Sequence, residues 1–504
     1  MPGKIDLTKV NRRKKMRKFW IVLLSVGLIM AFAMPVLGAD VKFSGTYVIQ
    51  GYYDSNRALS SDDTTTRATS GDSRQGASIS DMWQRLRLQT DFQVAEGLKL
   101  TTRADIMERI WGNVNRGAAA NQPWAGSASA LNQESYNQEA ENIRFNNVYV
   151  SANIFGGLFR AGYQTQTVWG TSFADSGDLV WGPRLRFDYV TGPWTFIVLH
   201  DWYEGTKPNP LHQSSNAAAQ VDAQAEAPAA AFIYTWAKGN TGLLIKYVWA
   251  STASGATIPS GNDQGYKTRY WLFLPYWKAL FGPVYTEGEV IWRYGKTVMY
   301  EDGALFNPTA TQGVGDVTLN GWSGWATATV DIKPAYVGAT FVYVEGDSPA
   351  IAGSPNTTNT SGQSGGVDFN PCLMLFNYDE MRWNGGFGNP AYAATFPANS
   401  STNAAGISNA YIVQGFVGIK PIPKLDVKES VTWAKADKPV TSSGWVSKDY
   451  GWEGDLTATY KIYDNLSYMV GFGYLWAGDY FKGTNANGNV EKDYLLTHKL
   501  TLSF

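Results

Sequence analysis

DMWQRLRLQTDFQV, Asp81 to Val94, decides the reading of this chain. Taken in alternation, Leu86, Leu88, Phe92 and Val94 fall on one side, and Arg85, Arg87, Gln89, Asp91 and Gln93 on the other. A period of two sends successive side chains to opposite faces of a β-strand. One face suits hydrocarbon and the other suits water. The next four residues, AEGL (Ala95 to Leu98), carry a turn signal, and the pattern then restarts. Leu98, Leu100, Ala104, Ile106 and Ile110 now oppose Lys99, Arg103, Asp105 and Arg109. Two such runs around a tight turn read as a hairpin.

Outward from this hairpin the same grammar repeats. Strands are predicted to begin near Val41, Asp81, Leu98, Ile143, Leu158, Leu179, Pro193, Ala230 and Thr241, and again near Gln264, Gly282, Gly321, Ala335, Ala410, Leu425, Asp449, Asn465 and Asp493. In the last hairpin Leu466, Tyr468, Val470, Phe472, Tyr474 and Trp476 share one face, with Ser467, Gly471 and Gly473 behind. Connections alternate between tight and long. The tight ones include FGG (Phe155 to Gly157), KGNT (Lys238 to Thr241), KP (Lys333-Pro334) and YDN (Tyr463 to Asn465); the long ones include 55–80, 113–142, 204–229, 297–320 and 347–409.

Loops sorted by length to two ends, on strands with one apolar face, predict an all-β fold. It is a transmembrane antiparallel up-and-down β-barrel of about 18 strands, with short periplasmic turns and long extracellular loops. A barrel of that size leaves a water-filled lumen. A soluble sandwich with loops at one end is the weaker alternative. The low-complexity stretches Ser215 to Ala231 and Ser354 to Gly366 read as outer loops.

Composition agrees. The 52 Gly, 20 Trp and 28 Tyr suit turns and interfacial girdles, and a mean hydropathy of −0.24 argues against a helical membrane protein. The basic run NRRKKMRK leads into an apolar stretch ending at Gly38-Ala39, the order of a secretory signal peptide. Residues 1–39 are assigned to that signal, cut between Ala39 and Asp40, with Met16 as an alternative start; 40–504 form the barrel. A transmembrane anchor is the competing reading of the apolar run. Removal of 1–39 leaves 34 basic against 42 acidic residues, net −8, which argues against a nucleic-acid partner. Cys372 is the chain's one cysteine, which excludes an internal disulfide framework.

Charges with inward parity are the functional candidates. Arg85, Arg87, Arg103, Arg109, Arg160, Arg184 and Arg186 share a wall with Asp91, Asp105 and Asp188. Such a strip would attract anions, since guanidinium forks suit carboxylate and phosphate. Lys267, Arg269, Glu287, Glu289 and Arg293 form a mixed wall, and Glu453 with Asp455 adds acidic character. Opposed walls of unlike charge would set up a transverse field; the plainer alternative is that these charges solvate the lumen and pair with one another.

Enzyme signatures are lacking: His200, His212 and His498 have no zinc-site spacing, and there is no GxSxG, P-loop or HExxH. No cofactor and no metal is expected. The 346–409 segment either enters the lumen or lies on the surface. The expected function is a passive channel for small hydrophilic, anionic solutes in the outer membrane. Its partners would be membrane lipid and lipopolysaccharide, and a homotrimer is one arrangement. A structural or adhesive barrel binding through its loops is the alternative.

The stretch Asp449 to Gly483, in its steps EGDL (Glu453 to Leu456), DNL (Asp464 to Leu466) and AGDY (Ala477 to Tyr480), resembles the final hairpin of the alginate-export-like family of large outer-membrane porins. That resemblance implies an outer-membrane barrel and offers a second function, export of an alginate-like polysaccharide through an arginine-rich constriction. Leu500, Leu502 and Phe504 resemble the C-terminal signal that the barrel-assembly machinery reads in porins at large.

Overall fold

Eight two-residue turns organise the chain. In the computed structural model, which describes residues 40–56, 59, 78–111, 143–177, 180–203, 225–252, 266–300, 317–346, 359–360, 364–377, 407–438, 446–482 and 489–504, these turns join neighbouring strands at one end. The signal segment and its Ala39 cleavage position lie outside the described residues.

The strands are β1 Asp40–Asp54, β2 Ile79–Ala95, β3 Leu98–Ile110, β4 Ile143–Ile154, β5 Gly157–Thr165 and β6 Trp181–Thr191. Next come β7 Trp194–Tyr203, β8 Ala225–Trp236, β9 Gly239–Thr252, β10 Tyr266–Phe281, β11 Val284–Tyr300 and β12 Val317–Ile332. The series ends with β13 Ala335–Val344, β14 Asn359–Thr360, β15 Ala410–Ile422, β16 Leu425–Lys435, β17 Asp449–Tyr463, β18 Leu466–Ala477 and β19 Asp493–Ser503.

The strands of the wall pair antiparallel with their neighbours in order, β13 pairing directly with β15. The ring closes where β19 meets β1, Thr46 opposite Ser503 and Asp54 opposite Leu495. The result is a closed 18-strand barrel, with the two-residue β14 pairing parallel to β12 at Thr318 and Leu319, beyond the end of β13. Closure removes the free edges that a sheet otherwise offers for aggregation. Four of the tight turns take left-handed backbone at a glycine, among them Gly97 at φ +72° and Gly156 at +76°.

The outer face is apolar and ringed by aromatic residues. Near the tight turns lie Tyr189, Trp194, Tyr234, Phe281 and Tyr460, and toward the other end Trp271, Trp292, Trp322, Trp452 and Trp476, all of them exposed. Trp452 stands opposite Trp476, and Trp292 opposite Trp322. Rings at two levels with Val148, Val198, Val413, Val417 and Val470 exposed on the same surface form a hydrocarbon-facing band between interfacial girdles. Outward His498 lies over Gly51, where a Cβ would come within 2.4 Å of its imidazole, so the seam between β1 and β19 requires a glycine.

Two strands begin clearly earlier than expected, β12 at Val317 rather than near Gly321 and β8 at Ala225 rather than near Ala230. Ala225 to Ala231, read above as part of a loop, is the first half of β8, with Ala227, Ala229 and Ala231 buried on the inner face. Poor strand propensity is overridden by pairing on both sides, against β7 and β9. Likewise Asn359–Thr360 and residues 364–366 of the second low-complexity stretch are ordered parts of the fold. The buried core sits inside the barrel, where Phe173, Trp325, Phe369, Leu375, Tyr450 and Tyr480 belong to one apolar cluster.

Candidate functional site

Two chain segments enter the lumen and fill part of it. Residues 166–177, between β5 and β6, leave the wall at a clamp in which Arg184 donates to the carbonyls of Thr165 (2.8 Å) and Gln166 (2.6 Å). They then reach the far wall. The Trp169 indole donates to the Leu274 carbonyl at 2.8 Å, and the Thr171 hydroxyl and backbone N–H donate to Glu289 at 2.6 and 3.0 Å. Trp325 donates its indole N–H to Thr171 at 2.9 Å, and Phe173 is fully buried beside Trp325 and Phe369.

Residues 364–377 form the second segment. Gly366 N–H donates to the Phe173 carbonyl at 2.6 Å, and Asp368 N–H to the Asp175 carbonyl at 3.1 Å, so the two segments are tied together. Glu453 accepts from the N–H groups of Met374 and Leu375, both at 2.7 Å. The inner face of β18 makes room for this segment with glycine: a Cβ at Gly473 would meet Leu373 and Met374 side chains near 3.3 Å. Of the two expectations for the 346–409 loop, entry into the lumen holds for residues 364–377.

The acidic wall therefore differs from expectation. Glu289 and Glu453 point inward but are fully buried: both Glu453 oxygens and Oε2 of Glu289 accept from loop donors, and Oε1 of Glu289 has no hydrogen-bond partner. They anchor chain rather than project a field into water. Glu287 faces inward nearer the tight turns, accepting from Tyr285 at 2.6 Å, and Arg293 faces inward between Leu272 and Gly321. Burial, and after it the Glu453 and Asp455 carboxylates, push the Cys372 thiol well above its ordinary range.

Across the lumen, β2 to β9 carry a ladder of basic side chains interleaved with carboxylates. Arg87 grips Asp105 with two bonds (2.7 and 2.8 Å), and Arg85 meets Glu108 at 3.6 Å. Arg144 bridges Asp105 (3.4 Å) and Glu108 (3.3 Å) and lies over the Trp181 ring. Lys99 pairs with Asp91 at 3.1 Å, and Arg103 donates to Thr165 and to the Gly177 carbonyl. Arg160 and Arg186 both reach Asp188, the latter at 2.8 Å. Deepest of all, Arg184 forks onto Asp201 (2.5 and 2.9 Å), which also accepts from Lys246 at 2.8 Å.

Three of the sequence-assigned lumen residues lie on the outer face. Gln84 pairs with Arg109 whereas Leu86 pairs with Ile106, so β3 holds one extra residue between them. That bulge, with Met107 at φ +52°, reverses the parity beyond it. Arg109 turns outward beside Gln84, and Glu108 takes the inward place. Lys267 and Arg269 share parity with the outward Trp271 and Phe273. They sit beyond the aromatic ring, where a 16-residue strand has outrun the hydrocarbon and its outer face meets water or headgroups.

Glu108, Arg144, Asp201 and Lys246 were not singled out in the sequence. Asp201 continues the inward series Ile197, Leu199, and Lys246 lies between Leu244 and Val248, so a lone charge on an otherwise apolar inner face was the available signal.

A closed antiparallel barrel with an apolar girdled exterior and a charged interior is a transmembrane β-barrel of the bacterial outer membrane. No family model matches the chain, and no curated protein matches it. Among solved structures it is similar to OccK9 (OpdG) of Pseudomonas aeruginosa, at 12% identity and TM-score 0.46, covering 92% of this chain and 99% of that one. It is also similar to the outer membrane protein OprD of the same organism (11% identity, TM-score 0.43, covering 93% and 96%). A third is the outer membrane channel DcaP of Acinetobacter baumannii (12%, TM-score 0.41, 93% and 98%).

Proposed function

We propose that this barrel is a porin, a passive channel that favours small hydrophilic anions. The observation that carries the reading is the sharing of Asp188 by Arg160 and Arg186, two guanidiniums on one carboxylate. Those two side chains keep 24% and 22% exposure while Arg184 keeps 4%, so the ladder's surplus positive charge stands where lumen water can reach it. Like charges in cross-strand register weaken a sheet, and Arg160 lies directly opposite Arg186. A fold tolerates that cost where the charge serves a solute. Arg85, Arg87, Arg103, Arg144 and Lys99 extend the strip along the wall.

The purified barrel in a planar bilayer under a potassium chloride gradient tests this. Stepwise openings with a reversal potential of anion preference are expected; cation preference overturns the reading. Export of an alginate-like polyuronate would use the same arginines, and carboxylate forks favour it. We place it second because the two joined inward segments leave less room for a polymer than for small solutes. On the outer surface, Arg269 stands opposite Lys296 beyond Trp271, a pair suited to lipopolysaccharide phosphates. Leu500 and Leu502 share the outward face of β19 and Phe504 is half exposed, which suits recognition by the assembly machinery.

A further inference from the structure

Where the second inward segment meets β17, a cluster of three side chains does more than the anchoring by Glu453 requires. Cys372, Glu453 and Asp455 each offer one ligand atom within 4.8 Å of the others, and all three residues are buried. Their exposures are 4%, 0% and 6%. Asp455 spends Oδ2 on the Leu373 N–H and the Ser430 hydroxyl, but its buried Oδ1 has no hydrogen-bond partner. An unpaired buried carboxylate oxygen beside a second carboxylate is costly unless a proton or a cation neutralises it. Lys428 borders the same region, with its ammonium over the Phe416 ring at 4.7 Å.

We propose that Cys372, Glu453 and Asp455 bind a zinc-class divalent cation. One sulfur and two carboxylate oxygens match the donor set of a borderline-soft ion, whereas magnesium and calcium would forgo the thiolate. Cys372 and Asp455 also line a cavity of about 310 Å³, bordered by Gln50, Lys428 and Lys499, which gives the ion an approach and a fourth position for water. On binding, the thiol transfers its proton to solvent and sulfur donates the freed pair to the metal, so affinity falls with falling pH. The ion would join the inward segment carrying Cys372 to β17, which carries both carboxylates.

Cadmium reports on the site optically, because a thiolate-to-metal absorption band can come only from the chain's one cysteine. Titrating the folded barrel in detergent with Cd²⁺ should give a band that saturates at a single ion per chain and is displaced by Zn²⁺. Cys372→Ser should abolish the band. Asp455→Asn, which keeps the shape of the side chain, should weaken binding by roughly tenfold or more. Both variants are checked for folding by the heat-dependent gel mobility of the barrel. A wild-type chain with no saturable band, or Asp455→Asn with unchanged affinity in a folded barrel, overturns the site and leaves protons as the neutralising charge.

Discussion

The two charged walls of the lumen use similar residues for opposite ends. On β2 to β9, arginines and carboxylates pair side chain to side chain, and Arg160 and Arg186 remain partly open to the lumen. On β11 and β17, Glu289 through Oε2 and Glu453 through both oxygens are buried against donors from the inward segments. The difference teaches that inward parity identifies where a charge points but not what it meets. Most basic side chains on the first wall meet carboxylates, and Arg103 and Arg184 add bonds to carbonyls at Thr165, Gln166 and Gly177. Glu289 and Glu453 on the second wall meet donors of the inward segments instead.

The sharpest break would come at Asp201. It is fully buried and holds both Arg184 and Lys246, so Asp201→Ala strands two cations away from water. A loss of about 3–5 kcal/mol in unfolding free energy is expected from urea titration in detergent micelles. A loss below about 1 kcal/mol would mean that water reaches the ladder's deepest rung, and that the basic wall is solvated throughout.

Glu289→Ala asks the matching question of the other wall. It leaves the Thr171 N–H without its acceptor, at a cost of about 1–3 kcal/mol. The larger signature is in single-channel recordings, where the released 166–177 segment should raise conductance and noise. Conductance and noise equal to wild type would show that Glu289 is not what holds the segment, and the contrast between the walls would fail. Replacing both Arg160 and Arg186 by Gln tests the first wall's remaining charge. Each unit charge near a passing ion in water is worth about 1 kcal/mol, so the anion-to-cation permeability ratio should fall by roughly fivefold or more. An unchanged reversal potential would reduce the ladder to a structural device.

Fold and site were legible to different depths. Strand onsets at Leu98, Ile143, Ala335, Ala410, Leu425, Asp449 and Asp493 fall where the alternation and the turn residues put them. A barrel wall is local in sequence, each strand pairing with the next, so short-range periodicity specifies most of it. The onset of β8 escaped because alanines carry no alternation in hydropathy. The 166–177 segment escaped, and the 346–409 loop could be assigned only to lumen or surface, because a loop's destination depends on contacts remote in sequence, such as Thr171 with Glu289. Traces remain on the receiving surfaces: Gly471 and Gly473 on the inner face of β18 are small because Leu373 and Met374 occupy that space.

The smallest expected effect separates two neighbouring residues on β3. If alternation ran unbroken from Asp105, Arg109 would face the lumen and Glu108 the membrane. The extra residue at Met107 inverts this, giving Glu108 to Arg85 and Arg144 and setting Arg109 beside Gln84 on the outer surface. Arg109→Gln should therefore leave the reversal potential at its wild-type value and change stability by no more than about 0.5 kcal/mol. Glu108→Gln, one position away, removes the carboxylate shared by two lumen arginines and should shift the reversal potential toward stronger anion preference. If the two variants exchanged behaviours, the bulge would be absent in the membrane. Arg109 would then rejoin the ladder, and the basic wall would carry one more unshared charge than the register assigns to it.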